Sequence, residues 1–183
     1  MGTLMKERQY RCRRVARLRL RKQQQEQLMP TIQAGCTAPY YVAEIEPWER
    51  EERCVLSAGK CIIDNEYYYV RGRLTAPNGN GRGNVHWDVW IQVSGQQYDA
   101  LLTTCSLQEQ TLAGKLSSAI PGYPDTLALP VTIKWQPRKS VLDVHVDNSD
   151  HLLAIEQRQG LSFQRWLELQ PLHNAYHKLP DAR

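Results

Sequence analysis

The sequence predicts an α+β fold: a mainly antiparallel sheet built from hairpins, with helices packed on one face. Two observations predict it: strand patterns occur as neighbouring pairs joined by short turns, and helical patterns stand in separate blocks. The 183 residues, 42% of them hydrophobic, are enough for one domain with a substantial core. We divide the chain into a basic arm over residues 1–28, a single domain over residues 29–176 and a tail over residues 177–183.

The clearest strand covers residues 85–93, where apolar and polar side chains alternate. One hairpin is predicted over residues 60–74 with its turn at Asn65-Glu66, and a second over residues 131–146. A short strand is expected at residues 54–56. The side chains predicted to face the core from the clearest strand are Val85, Trp87, Val89, Ile91 and Val93.

Helices are predicted at five places: residues 46–53, 96–103, 111–119, 150–159 and 162–170. Ser94 and Ser162 suit N-cap positions of the second and last helices, and Asp150 suits that of the fourth. Gly160 is expected to end the fourth helix, and Pro171 to stop the last one.

Charge is divided unevenly along the chain. Residues 1–30 carry nine Lys and Arg against two Glu, a balance of +7, whereas the formal charge of the whole chain is +4. Arginines interrupt every helical face of this arm, so it lacks the apolar stripe that membrane binding requires. Together with the lack of an apolar span and of a secretory signal, this indicates a cytoplasmic protein with no membrane partner. Nucleic acid is expected as a partner only through the arm.

The five cysteines are odd in number, which argues against a disulfide framework. Cys54 and Cys61 could approach one another across a hairpin, but the favoured interpretation is of small buried thiols in a reducing cytosol. Asp143, His145, Asp147, Asp150 and His151 resemble a metal cluster, yet residues four apart on a strand are separated by about 13 Å, so Asp143 and Asp147 cannot both join His145. A site made of one such pair with Asp150 or His151 is the alternative, and the favoured interpretation of Asp150 is a helix N-cap. The glycine-rich loop over residues 76–84 lacks the lysine and helix of a phosphate-binding loop. We therefore expect no metal and no cofactor.

Two polar arrangements are candidates for function. Tyr69 and Arg71 belong to a strand face on which tyrosines and arginines alternate, and such a face suits either binding or a solvated sheet surface. His86 and Asp88 share a face of the next strand, as a general acid and base would. The chain offers no nucleophile motif beside them.

Four stretches of the chain carry a resemblance to a known family. They are Ala38-Pro39-Tyr40-Tyr41 with Glu49 to Cys54, Cys61 to Asp64 with Tyr69 to Gly72, Trp87 to Ile91 with Leu116 and Pro121 to Leu127, and Asp150 to Gly160. In these stretches the chain resembles the bacterial domain-of-unknown-function family 2199. Members of that family also resemble one another in an N-terminal Cys-x-x-Cys-Gly segment, suggestive of a small metal knuckle. Cys12 stands near that place without the second cysteine, so the arm diverges from the family.

The resemblance implies no activity. Its polar residues suit either a network that ties loops and a helix to the sheet or a ligand site. Our leading hypothesis is a non-catalytic binding domain for another protein, with a surface containing Arg71, Trp90, Tyr123 and Asp125. The alternatives are a small hydrolase that uses a His/carboxylate pair, and a nucleic-acid tether. The full set of candidate binding residues is Tyr69, Arg71, Trp90, Tyr123, Asp125, His151 and Glu156; the hydrolase would draw on His86 or His151 with Asp88, Asp125 or Glu156.

Overall fold

The computed structural model describes residues 32–79, 83–103, 109–136 and 141–176. The predicted arm and tail lie outside these residues. The strands are β1 (Ile32–Gly35), β2 (Cys54–Leu56), β3 (Lys60–Ile63), β4 (Tyr67–Pro77), β5 (Asn84–Val93), β6 (Gln110–Leu116), β7 (Pro130–Trp135) and β8 (Leu142–Val146). The helices are a 3₁₀ helix (Tyr40–Glu44), α1 (Arg50–Arg53), α2 (Gly95–Thr103), α3 (Leu152–Gln159) and α4 (Phe163–Tyr176).

Strands β4 to β8 form a closed five-stranded barrel. Each consecutive pair from β4 to β8 is antiparallel, and β8 returns to β4 with Gly72 opposite Leu142 and Leu74 opposite Val144. Because the number of strands is odd, the last strand runs in the same direction as the first, and this closing pair is parallel. The α+β class is confirmed, but the expected hairpin sheet with helices packed on one face is wrong, because the sheet closes into a barrel.

The interior of the barrel holds the larger of two apolar clusters. The predicted inward face of β5 is confirmed, since all five of its side chains are buried there. Two glycines of the wall leave room for neighbouring side chains. A Cβ on Gly72 would lie 2.6 Å from Cγ2 of Val144, and one on Gly114 would lie 2.5 Å from Cγ2 of Ile91. Side chains there would collide with the barrel's own contents.

A second, smaller cluster lies on the outer face of the same wall. It consists of Val42, Ile45, Cys61, Ile63, Tyr69 and Trp90, with Cys36, Ala38, Tyr41 and Cys54 packed against it. Strand β3 pairs with the first half of β4, β2 pairs with β3, and β1 runs parallel to the start of β5. Strands β1, β2 and β3 and the 3₁₀ helix bury part of the outer face of β4 and β5, which alternation alone assigns to solvent.

Several local predictions need correction. Residues 110–116 form strand β6 and not a helix. In this strand Leu112 lies opposite Ile133 of β7, and Leu116 lies opposite Ile91 of β5. Pro171 lies inside α4, which continues to Tyr176. The turn before β4 is centred on Asp64 and Asn65, both with positive φ, which these two residue types tolerate.

The last three helices each have a side-chain cap at the N-terminus. Ser94 accepts from the backbone of Gln97, and Ser162 from that of Arg165, as predicted. The N-cap of α3 is His151 and not Asp150, since its Nδ1 accepts from the backbone N–H of Leu153. Gly160 ends α3 with a φ of 86°, as expected. Within the described residues, no helix has the length and apolarity to cross a bilayer.

Candidate functional site

The surface expected to contain Arg71, Trp90, Tyr123 and Asp125 is not formed. Trp90 is 0% exposed in the outer cluster, where its indole Nε1 donates to the carbonyl of Cys36 at 3.1 Å. Tyr123 is buried in the barrel cluster, edge-on to Trp87. Only Arg71 and Asp125 of these four reach solvent, so a binding role for them stays a prediction.

The outer arginines of β4 are held by Asp88. Arg73 donates to that carboxylate at 2.8 Å, and Arg71 lies 3.7 Å from its second oxygen. Arg71 also donates to the carbonyl of Ala58, and its Nε is buried with no hydrogen-bond partner among the described residues. His86 lies beside the Arg73–Asp88 ion pair, and its Nδ1 is 2.9 Å from the hydroxyl of Thr75. Burial, and then the Arg73 charge, hold the pKa of His86 below its usual 6.5.

The residues around Tyr123 form a structural network. Its hydroxyl donates to Glu156, whose other carboxylate oxygen accepts from Nε of Arg165 at 3.0 Å. The Arg165 guanidinium lies 4.9 Å from the centre of the Tyr123 ring and also donates to the carbonyl of Gly122. Burial, followed by the bond to Glu156, raises the pKa of Tyr123 well above its usual value. These contacts tie the loop before β7 to α3 and α4.

The other polar residues of the resemblance also tie loops together. His151 uses both ring nitrogens, since Nδ1 caps α3 and Nε2 donates to the carbonyl of Pro124 at 2.8 Å. The side-chain amide of Gln157 donates to the carbonyl of Val144 and accepts from the backbone N–H of Val146, as the backbone of a further strand would. These contacts give both His151 and Glu156 a structural role, and the use of either residue in the hydrolase alternative stays a prediction. No group of three metal-ligating side chains occurs in the described part of the chain.

An open cavity of about 520 Å³ lies over the outer cluster. We call it the tyrosine groove. It is lined by Tyr41, Glu44, Ile45, Arg53, Ile63, Asp64, Tyr67, Tyr69 and Gln92. The 3₁₀ helix, the end of α1, the turn after β3, the start of β4 and the end of β5 all contribute to it. A second cavity, of about 400 Å³, is lined by residues 119–123 and 125–127 of the loop that contains Asp125.

The groove has an aromatic wall and a charged rim. The rings of Tyr41 and Tyr69 lie 6.4 Å apart between centroids, and burial raises the pKa of Tyr69 to about 12. On the rim, Arg53 donates to both carboxylate oxygens of Asp64 at 2.7 Å. The charges of Arg53 and Asp64 cancel within this ion pair, whereas Glu44 places an exposed negative charge on the same rim.

Sequence reasoning identified only one groove residue as a candidate, Tyr69. The others come from five different elements, so no single motif could assemble them. Two signals were present: Tyr67 shares the alternating face of Tyr69, and an acidic run follows Tyr41 at residues 44–52. Both point to the same place once the fold is known.

The comparisons with known proteins give a family and no activity. A family model described as an uncharacterized protein conserved in bacteria, DUF2199, matches residues 22–161. The chain belongs to this family. No curated protein and no solved structure is similar enough to be matched. All seven candidate residues lie inside the DUF2199 match, as does the whole tyrosine groove.

Proposed function

We propose that this DUF2199 domain is a non-catalytic protein-binding module, and that the tyrosine groove accepts a lysine or arginine side chain of the partner. The observation that carries the proposal is the convergence of three tyrosines and the exposed Glu44 on one cavity of about 520 Å³. Ligand cavities span roughly 300–1,000 Å³, so the volume suits one long side chain with part of its backbone.

The chemistry of the groove favours a cation. Aromatic ring faces carry negative charge density and attract ammonium and guanidinium groups. Tyr67, which is 41% exposed, and the half-buried Tyr41 line the cavity, and the buried ring of Tyr69 lies 6.4 Å from that of Tyr41. Glu44 adds a carboxylate, and Ile45 and Ile63 give an apolar floor for the methylene stem of a lysine.

The chain around the groove is acidic. Residues 40–67 contain seven Asp and Glu against three Lys and Arg, a balance of −4. A basic partner surface would therefore be attracted, and the association should weaken as salt rises.

The surroundings favour a protein over a free small cation. Of the nine large apolar side chains exposed in the described residues, five belong to residues 40–67. They are Tyr40, Trp48, Val55, Leu56 and Tyr67, with Trp48 77% and Val55 65% exposed. Tyrosine and tryptophan are enriched in protein interfaces, where they bury large areas at low entropy cost. Strand β2, which carries Val55 and Leu56, also ends the sheet order, so an extended segment can approach it.

The test is a nitrogen-edited NMR titration of the full chain with Nα-acetyl-lysine methylamide. Amide shifts should change at Tyr41, Glu44, Tyr67 and Tyr69, with millimolar affinity because a single side chain supplies few contacts. Nα-acetyl-norleucine methylamide, of similar size but uncharged, should cause no such changes.

The matched variants are Tyr67→Ala and Leu167→Ala. Both side chains are exposed to the same fraction, 41%, but Leu167 lies on α4. Loss of one ring should weaken lysine binding by roughly 2- to 30-fold, the equivalent of about 0.5–2 kcal/mol, and Leu167→Ala should leave it unchanged. Equal responses to the lysine and norleucine probes, or equal affinity of both variants, would overturn the proposal.

A further inference from the structure

We propose that Cys54 and Cys61 are a reversible redox pair that closes into a disulfide when the protein meets a peroxide. This modification site does not depend on the groove binding a partner. The two sulfur atoms lie 3.5 Å apart.

The hairpin of β2 and β3 brings the two thiols together. Cys61 pairs with Leu56, and Cys54 lies two residues before Leu56 on the same strand. The side chains of Cys54 and Cys61 therefore share one face of the hairpin as diagonal neighbours. A disulfide needs an S–S distance of about 2.05 Å, so the sulfurs must approach by roughly 1.5 Å.

Strand β2 can supply that movement. It has three residues, lies at the end of the sheet order and, among the described strands, pairs with β3 alone. The residues that follow it, Ser57 and Ala58, are exposed. A short edge strand beside an exposed turn shifts at lower cost than a strand held on both sides.

The two thiols differ in access, which sets the order of events. Cys54 is partly exposed, whereas Cys61 is fully buried. Burial, and then the contact with Cys54, raise the pKa of the Cys61 thiol far above its usual value. Cys54 is therefore the sulfur that a peroxide meets first, and Cys61 is the resolving thiol.

The chemistry balances with hydrogen peroxide as the oxidant. The thiolate of Cys54 attacks one peroxide oxygen, the O–O bond breaks, and a sulfenic acid and one water form after uptake of a proton. The sulfur of Cys61 then attacks the Cys54 sulfur, and its proton leaves with the displaced hydroxyl group as a second water. Two thiols are oxidised to one disulfide, and a dithiol such as dithiothreitol restores them.

Trypsin makes the bond easy to identify, since it cuts after Arg53, Lys60 and Arg71 and so separates residues 54–60 from residues 61–71. The full chain is treated with stoichiometric hydrogen peroxide, its remaining thiols are alkylated in denaturant, and the digest is analysed by mass spectrometry. We expect the two peptides joined by a disulfide that dithiothreitol cleaves. Cys36 packs on the same outer cluster and serves as the control. The Cys36→Ser variant should still form the disulfide between Cys54 and Cys61.

The single variants separate the roles of the two thiols. Cys61→Ser should leave a Cys54 sulfenic acid that dimedone traps, and Cys54→Ser should leave Cys61 reduced at the same peroxide dose. A urea midpoint close to that of the parent chain shows that each variant is folded. A bond from Cys54 to any other cysteine, Cys54 oxidised to a sulfinic acid with Cys61 still a thiol, or no reaction at either residue would each overturn the proposal.

Discussion

Replacing Gly72 with alanine tests the closure of the barrel. The added Cβ would lie 2.6 Å from Cγ2 of Val144 on β8, and 3.1 Å from both Cδ1 of Ile91 and the carbonyl of Leu142. Overpacking of a filled core costs about 1–3 kcal/mol, and we expect Gly72→Ala to lower the free energy of unfolding by that amount.

The decisive comparison is a double-mutant cycle with Val144→Ala, which removes the methyl group closest to the new Cβ. That variant alone should cost about 2 kcal/mol, from two buried methyl groups and the cavity they leave. In the double variant the alanine at position 72 fills part of that space. The double variant should therefore be more stable than the sum of the single costs implies, by about 1 kcal/mol or more.

Urea unfolding followed by tryptophan fluorescence measures all four proteins, with m-values compared to confirm that the same transition is observed. Gly59→Ala is the control, because a Cβ there meets nothing within 4 Å. It should change stability by no more than about 0.5 kcal/mol. Additive costs for the cycle would mean that β4 and β8 are not neighbours, and the closed barrel would be refuted.

Three other predictions follow from particular contacts. Tyr123→Phe removes the hydroxyl that donates to Glu156 and should cost about 1–3 kcal/mol in urea unfolding, because that carboxylate then loses a buried partner; an unchanged midpoint would contradict the network. His86 has a lowered folded pKa, so its contribution to stability is complete above the unfolded value of 6.5 and is lost as the pH falls below it. His86→Gln should accordingly flatten the loss of stability between pH 6.5 and lower values, and a slope equal to that of the parent chain would refute this. A chain that begins at Met29 should unfold at the same urea concentration as the full chain, because the basic arm has no apolar stripe for docking. A large loss of stability would show that the arm belongs to the domain.

The sequence was informative where one segment determines its own structure. The alternation from Val85 to Val93 identified a strand and its buried face, because a period of two needs no knowledge of the neighbours. Residues 110–116 were misassigned because Leu112, Ala113 and Leu116 are good helix formers. Gly114 was the clue to a strand there, since its lack of a side chain makes room for Ile91.

Closure and the groove depend on distant segments. The parallel pairing of β4 with β8 joins residues about 70 positions apart, and no local pattern encodes it. Trp90 was placed on the solvent side because alternation identifies a face but not what covers it. The tyrosine groove assembles residues 41 to 92 over that covering layer, so only Tyr69 could be chosen in advance.

The most direct test of the proposed docking site is an intermolecular NOE measurement with Nα-acetyl-trimethyllysine methylamide, whose methyl protons give one intense signal. The groove geometry predicts NOEs from these methyl groups to the ring protons of Tyr41 and Tyr67. At saturating probe, NOEs only to residues near Arg71 or to the loop of Asp125, with none to the groove tyrosines, would contradict the account.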